Sequence, residues 1–163
     1  MNALDDLDLA ILAELEQNAR ISISELARRL DSPNSTIRDR IHGLEEDEVI
    51  LGYKAIVNPD KLGLGIKAVI QTGRAQSISL EDFCSEATEF PEITRVQIVT
   101  GETDQLVTVY VRDVEHLKEV IFDKVGALPG LTKSNTTIVL EERNFPLTRR
   151  FFSKGRSGDL ENA

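Results

Sequence analysis

Cysteine, histidine and long apolar runs are scarce in this chain of 163 residues. Its single cysteine, Cys84, cannot form a disulfide within the chain, so nothing in the cysteine content points to an oxidising compartment. No apolar stretch approaches the roughly 18–20 residues that a membrane-spanning helix needs. The acidic segment from Met1 to Asp8 also lacks the basic-then-apolar order of a signal peptide. We therefore expect a cytoplasmic protein with no membrane partner.

Sequence patterns typical of catalysis and metal binding are missing as well. The two histidines, His42 and His116, are far apart in the sequence, and no Cys/His cluster has the spacing of metal ligands. The chain has no glycine-rich phosphate loop and no nucleophile motif. Cys84 lies on an apolar helical pattern, which indicates a core position. We expect no catalytic residue, no metal and no cofactor.

The net charge of −9 is spread unevenly along the chain. Residues 1–60 contain 6 Lys and Arg against 13 Asp and Glu, whereas residues 61–163 contain 13 against 15. Apolar residues make up 40% and charged residues 29%, which is ordinary for a globular protein of one or two domains. The negative balance of the first 60 residues disfavours binding to phosphate groups there.

Apolar spacing predicts two helices in the first 30 residues. Leu4, Leu7, Ile11 and Leu15 share one helical face, with three Asp residues in the first turns, where the helix dipole favours carboxylates. The pattern ends at Asn18. Ser22 and Glu25 have the spacing of a capping box and predict a second, short helix that ends near Leu30.

A third helix follows a tight turn at Asp31 and Ser32. We expect Ser32 to cap it and Pro33 to occupy its first position, where proline's missing N–H costs nothing. Two helices joined by so short a turn are typical of a helix-turn-helix. The outward face of the third helix would then enter the major groove of double-stranded DNA, and it carries Ser35, Thr36, Arg38 and Arg40.

Each of these four residues also has a plainer interpretation. The polar face is equally that of an ordinary solvated helix, and Arg40 is also suited to pair with an acidic neighbour. A shared face for Arg28, Arg29, Arg38 and Arg40, opposite the acidic run, would reconcile the negative domain with DNA.

The remaining pattern predicts an α+β protein with two domains. Residues 1–60 form a helix-turn-helix domain with a strand over Val49–Val57, and residues 61–65 form a linker. Residues 66–142 have the order β-α-β-β-α-β of a ferredoxin-like domain. Its strands are expected over 66–72, 93–100, 105–112 and 131–141, and its helices over 79–90 and 114–127.

Two features of the second half suggest partners. The last predicted strand has apolar residues on both faces, including Ile138 and Val139, and an uncovered sheet face usually binds another copy. We expect at least a homodimer. The C-terminal tail, residues 143–163, has five basic residues from Arg143 to Arg156 and no acidic residue between them. Disorder, docking on a neighbouring subunit and contact with DNA all remain open for this tail.

With these elements in place, the chain resembles the Lrp/AsnC family of leucine- and asparagine-responsive regulators over roughly residues 4–145. The resemblance lies in a series of short motifs. They are Leu7-Asp8-x-x-Ile11-Leu12, Asn18-Ala19-Arg20-Ile21-Ser22, Glu25-Leu26-Ala27, Ser35-Thr36-Ile37-x-x-Arg40-Ile41-x-x-Leu44-Glu45, Ile50-x-Gly52-Tyr53-x-Ala55, Gly101-x-x-Asp104-x-Leu106 and Leu128-Pro129-Gly130. Two positions depart from the family: Asp31-Ser32-Pro33 stands where Gly-Leu-Ser is usual, and Glu48 where Gly is usual.

The resemblance implies a transcription regulator in which a winged helix-turn-helix DNA-binding domain is joined to a ligand-sensing RAM domain. Dimers would form through the RAM sheets and assemble into octamers or other multimers. A small metabolite, by resemblance an amino acid, would bind between RAM dimers near the turn from Gly101 to Leu106. The residues implicated are Gly101, Thr103, Asp104 and Leu106, together with Thr136 and Ile138 on the last strand.

Other interpretations remain beside this one. Gly101 and Asp104 are also common in plain hairpin turns. A metabolite-binding module that has lost DNA binding would fit the acidic first domain. A third alternative is an enzyme similar to the sirohaem decarboxylases, which share the family's two folds.

Overall fold

The computed structural model describes residues 4–75 and 79–152, which group into two units. The first unit contains the described residues up to Ile56 together with those from Arg143 onward. The second runs from Val57 to Glu142, so the predicted linker at 61–65 groups with the second unit. There Pro59–Leu62 forms a 3-10 turn.

Three helices make up most of the first unit: α1 (Asp6–Gln17), α2 (Ile23–Arg29) and α3 (Asn34–Glu46). Helix α1 begins with a capping box in which Asp5 and Asp8 each accept a hydrogen bond from the other's backbone N–H. Such a cap suits the positive end of the helix dipole. The three helices enclose one apolar core of Ile11, Leu26, Ala27, Ile37 and Leu44.

Two details of the helix caps differ from the prediction. Ser22 accepts the Glu25 N–H at 3.2 Å, but the Glu25 carboxylate binds Arg28 and Arg29 instead of closing the capping box. Helix α3 is capped by Pro33, whose carbonyl accepts the Ile37 N–H, whereas the Ser32 hydroxyl donates to the Leu30 carbonyl. The predicted cap at Ser32 is therefore wrong by one residue.

The strand expected over Val49–Val57 does not form, because a strand needs a neighbour to share its hydrogen bonds. In the described parts of the chain, the sheet is built from four strands that all lie in the second unit. The segment instead leaves α3 through a turn in which Glu48 has a positive φ of 55°. Val49 and Ile50 pack against the helical core.

The second unit is the predicted ferredoxin-like arrangement. Its strands are β1 (Ile66–Arg74), β2 (Ile93–Ile98), β3 (Gln105–Val111) and β4 (Leu131–Ile138), in the antiparallel order β2-β3-β1-β4. Helix α4 (Leu80–Thr88) and helix α5 (Val114–Glu119) complete it. Helix α5 continues as a π turn over 120–124 and a 3-10 turn over 125–127, so the predicted helix at 114–127 changes its winding midway.

Strand register decides which side chains share a face of the sheet. Ile70 pairs with Val107 on one side and with Thr136 on the other, and its side chain is buried in the core with α4 and α5. Alternate residues therefore point to the opposite face. That face carries the half-buried Val69, Leu106, Tyr110 and Val139.

The described part of the tail joins the first unit. Helix α6 (Arg149–Phe152) is preceded by Thr148, which is buried and hydrogen-bonded to Glu16 of α1. The rest of the tail, from residue 153, lies outside the described residues. Among the helices that are described, none is long and apolar enough to cross a membrane.

Replacing Ile37 tests the helical core. Its side chain is fully buried, and Ile37→Ala is expected to lower the free energy of unfolding by about 2–4 kcal/mol through the lost burial and the cavity left behind. Urea unfolding followed by circular dichroism measures the change. Asp39→Ala, at an exposed position of the same helix, is the control and is expected to change stability by about 0.5 kcal/mol or less. Equal effects of the two substitutions would contradict this packing.

Candidate functional sites

The first candidate site is the outward face of α3. Ser35 and Arg38 are exposed and Thr36 is half-buried, while Ile37 between them points into the core. These three polar residues lie on the N-terminal half of the second helix of the helix-turn-helix, the part that reaches base edges in this motif. The joint before α3 is tight because Asp31 adopts a left-handed φ of 47° and Ser32 N–H closes back onto the Ala27 carbonyl.

Arg40, predicted with them, has a different environment. Its Nη1 lies 2.7 Å from Asp5 Oδ2 and 3.1 Å from Asp8 Oδ1, and Asp8 is buried. The pKa of the Asp5 carboxyl lies below its usual range. The largest cause is the hydrogen bond from the Asp8 backbone N–H, and the interaction with Arg40 lowers the pKa further. Arg40 therefore braces α3 against α1, which is the structural alternative that its sequence context left open.

The arginines of α2 are also paired with carboxylates. Arg28 and Arg29 both bind Glu25, and Arg29 additionally lies 2.6 Å from Glu14 of α1. Hydrogen bonds from Arg28 and then Arg29 lower the pKa of Glu25 to about 2. Of the four arginines predicted to share a basic face, Arg28, Arg29 and Arg40 are therefore paired with carboxylates. Arg38 is the fourth, and it is exposed.

The second candidate site is the turn between β2 and β3. Gly101 has a φ of 131°, a conformation that favours glycine, and Glu102 and Asp104 are exposed. The Thr103 hydroxyl donates to the Thr72 carbonyl at 2.8 Å, and Asp104 Oδ2 accepts the Arg74 N–H at 2.8 Å. Both side chains therefore fix the turn against the end of β1.

Register separates the predicted effector residues into two groups. Leu106 pairs with Gln71 and points to the face opposite the helices, whereas Thr136 pairs with the core residue Ile70. Ile138 follows on the same face as Thr136, about 7 Å further along β4. The structure thus brings Gly101, Thr103 and Asp104 together, and within one chain it places Thr136 and Ile138 on the other side of the sheet from Leu106.

Three residues that support this turn were missed in the sequence. Arg74 binds Asp104 through its backbone, Lys133 donates to the Glu102 carbonyl at 2.5 Å, and Gln105 accepts a buried hydrogen bond from Thr72. Arg74 and Lys133 are about 30 residues from their partners in the chain. Of these three residues, only Gln105 could have been noticed in the sequence, because it is a polar residue at the start of an apolar strand.

No group of three or more His, Cys, Asp or Glu side chains is placed to hold a metal ion among the described residues.

Comparison with known proteins assigns a domain family to each half of the chain. Residues 4–45 match the family model described as AsnC-type helix-turn-helix domain, and residues 68–145 match the Lrp/AsnC ligand binding domain. The chain belongs to the Lrp/AsnC family. It is a DNA-binding transcription regulator that carries a domain for a small-molecule effector.

Individual relatives agree with this assignment. An uncharacterised HTH-type transcriptional regulator of Pyrococcus horikoshii is 34% identical, with 91% of this chain and 93% of the relative covered. The proline dehydrogenase transcriptional activator of Rhodobacter capsulatus is 30% identical, with 88% and 96% covered. The leucine-responsive regulatory protein of Haemophilus influenzae is 29% identical, with 86% of each covered.

Solved structures of the family share the fold. A transcriptional regulator of Neisseria meningitidis in complex with L-Met is 26% identical, has a TM-score of 0.83, and covers 90% of this chain and 96% of that protein. Escherichia coli AsnC is also 26% identical, has a TM-score of 0.73, and covers 88% and 96%.

The two arginines of α3 are expected to differ in their effect on stability. Arg40→Ala removes the partner of Asp5 and of the buried Asp8, and we expect it to lower the urea concentration at the midpoint of unfolding, by a modest amount because Arg40 is partly solvated. Arg38→Ala removes an exposed side chain and is expected to leave stability unchanged within about 0.5 kcal/mol. Urea unfolding of both variants provides the comparison. A larger loss for Arg38→Ala than for Arg40→Ala would contradict the bracing role.

Proposed function

We propose that this Lrp/AsnC regulator reads double-stranded DNA in the cytoplasm with α3, as a homodimer or higher multimer, and that an amino acid controls it. It acts by binding and not by catalysis, and it uses no metal or cofactor besides the effector. The observation that carries the proposal is the exposed polar face of α3 on a capped helix-turn-helix that the AsnC-type model matches.

Ser35, Thr36 and Arg38 are the proposed DNA-contacting residues of α3. Hydroxyl groups bind either base edges or phosphates, and arginine binds guanine through two hydrogen bonds or a phosphate by charge. Arg40 contributes indirectly, because it keeps α3 in place on α1 through Asp5 and Asp8.

The turn from Gly101 to Leu106 is the proposed effector site. Backbone N–H groups of residues 101–103 would bind the α-carboxylate of an amino acid, and the exposed Asp104 would bind its ammonium group. The bound L-Met of the Neisseria regulator and the leucine-responsive name of the Haemophilus protein favour an amino acid as the effector. Thr136 and Ile138 would join this site only from a second subunit, because within one chain they face the other side of the sheet.

A second copy of the chain is the proposed partner for the open face of the sheet. That face presents Val69, Leu106, Tyr110 and Val139, all half-buried in the single chain. Burying such a surface between two copies is favourable by the hydrophobic effect. Two copies of α3 would then read a partly palindromic site, and further association of dimers into octamers or other multimers would bring their effector turns together.

The role of Arg38 is tested by fluorescence-anisotropy titration with DNA from the protein's own upstream region. Arg38→Ala is expected to weaken binding by about 1–3 kcal/mol, roughly 5-fold to 150-fold, because the variant cannot make the direct hydrogen bonds of the guanidinium to DNA. Lys118→Ala, which removes the same charge from an exposed position on α5, on the helical side of the sheet, controls for general electrostatics. Equal losses of affinity for the two variants would contradict a specific contact by Arg38.

The effector site is tested with the twenty common amino acids, screened by their effect on thermal unfolding, followed by calorimetric titration of those that stabilise the protein. Asp104→Asn retains an oxygen that accepts the Arg74 N–H but loses the charge that would attract an ammonium group. We expect Asp104→Asn to weaken binding about 10-fold or more, whereas Glu102→Gln on the same turn stays within about twofold. Absence of binding by every amino acid would contradict the proposed effector class.

A further inference from the structure

A lysine side chain connects the last strand of the sheet to the turn between β2 and β3. Lys133 lies on β4 opposite Gly73 of β1, and its Nζ donates to the Glu102 carbonyl of the turn at 2.5 Å. The strand order β2-β3-β1-β4 places β1 between β4 and the two strands that the turn joins. The side chain of Lys133 therefore crosses β1 to reach the turn.

Gly73 leaves the space that this crossing needs. A Cβ atom at position 73 would lie 2.9 Å from Lys133 Cγ and 3.1 Å from Lys133 Cε. Both distances are shorter than the favourable separation of about 3.5–4.0 Å between carbon atoms. The aliphatic stem of Lys133 thus lies directly over the backbone of Gly73. Because this contact restricts the stem before any ligand arrives, less conformational entropy is lost when the ammonium group binds an anion.

The positive charge of Lys133 is not matched by a carboxylate. In the described parts of the chain, its ammonium group has the Glu102 carbonyl as hydrogen-bond partner and forms no ion pair. The residue is exposed, so a ligand can reach the group. An ammonium group has three N–H donors, and the carbonyl occupies one of them. Two donors and a full charge therefore remain beside the turn.

A carboxylate is fixed on the same turn. Asp104 is exposed, and its Oδ2 accepts the N–H of Arg74, the residue that follows Gly73 in β1. The end of β1 thus positions both the stem of Lys133 and the carboxylate of Asp104. An α-amino acid carries a carboxylate and an ammonium group on one carbon atom. A cation and an anion held beside one turn match these two groups.

We propose that the Lys133 ammonium group binds the α-carboxylate of the amino-acid effector, while Asp104 binds the effector's ammonium group. This inference rests on the proposed function, because it requires that an amino acid bind at the turn from Gly101 to Leu106. Lys133 adds a charged partner from β4 to the backbone N–H groups of residues 101–103. Since every α-amino acid has this carboxylate, Lys133 selects for a free carboxylate and not for a particular side chain.

Calorimetric titration with L-methionine and with its α-amide tests this role. L-Methionine is the probe because the similar Neisseria regulator is in complex with it. If another of the twenty common amino acids binds more tightly, that amino acid and its α-amide are the probes. The affinity of a weakly bound amide is measured by displacement of the amino acid.

Lys133→Met keeps an unbranched stem and removes the charge. We expect its affinity for the amino acid to fall about 10-fold, because a charge-assisted hydrogen bond is lost. Its affinity for the amide should stay within about twofold or rise, because the amide is a cation that Lys133 repels. Lys118→Met, at an exposed position on α5, is the matched control and is expected to bind both ligands within about twofold of the unaltered protein.

A second variant moves the stem while the charge is retained. The Cβ of Gly73→Ala must displace Lys133 and also the Thr132 hydroxyl, 2.7 Å away. We expect a several-fold loss of affinity for the amino acid and little change for the amide. Gly73→Ala added to Lys133→Met should bring no further loss, since the two changes act on the same interaction. Thermal unfolding and sedimentation show whether each variant keeps its fold and its assembly.

The outcomes are distinct. A loss confined to the amino acid in both variants, without additivity, supports Lys133 as the partner of the α-carboxylate. Equal losses for the amino acid and the amide overturn the inference, because Lys133 would then only brace the turn, and the proposed function stands. Unchanged affinity for the amino acid in folded variants also overturns it. If the unaltered protein binds none of the twenty amino acids, the proposed effector class and this inference fail together.

Discussion

The contact between Arg40 and the two aspartates at the start of α1 fixes the position of α3, the proposed DNA-reading helix. Asp5 and Asp8 cap α1 by reciprocal hydrogen bonds and at the same time bind the Arg40 guanidinium. A cap, an ion pair and the packing of Ile11 against Ile37 therefore act at one junction. The proposed reading of DNA by the exposed face of α3 requires that this junction hold, because base contacts depend on the angle at which the helix leaves the core.

The same unit must bind a polyanion although its own acidic residues outnumber its basic ones. Local pairing leaves this conflict in place: Glu14 and Glu25 bind the arginines of α2, so equal charges of both signs cancel within a few ångströms and the excess of negative charge is unchanged. Such pairs contribute little to stability at an exposed surface. Their effect is to leave Arg38, among these four arginines, as the one available to DNA.

Local sequence patterns predicted most of the fold because periodicity and capping act within a few residues. The three N-terminal helices and the βαββαβ order follow from them, and so does the structural alternative for Arg40. The strand over Val49–Val57 was predicted from composition alone and is wrong, since a strand depends on a partner elsewhere. The support of the effector turn by Arg74 and Lys133, and the anchoring of Thr148 by Glu16, join residues that are about 30 and 132 positions apart. No local pattern encodes such contacts.

Regulation requires that the effector bind one state of the assembly more tightly than another. A hydroxyl-radical footprint of the unaltered protein on its own upstream DNA, with and without amino acids, tests this account most directly. We expect protected segments on one face of the duplex, about 10 base pairs apart. The extent of these segments should change when the effector is added. Uniform cleavage along the duplex at every salt concentration, from folded protein, would contradict the central claim that α3 reads DNA.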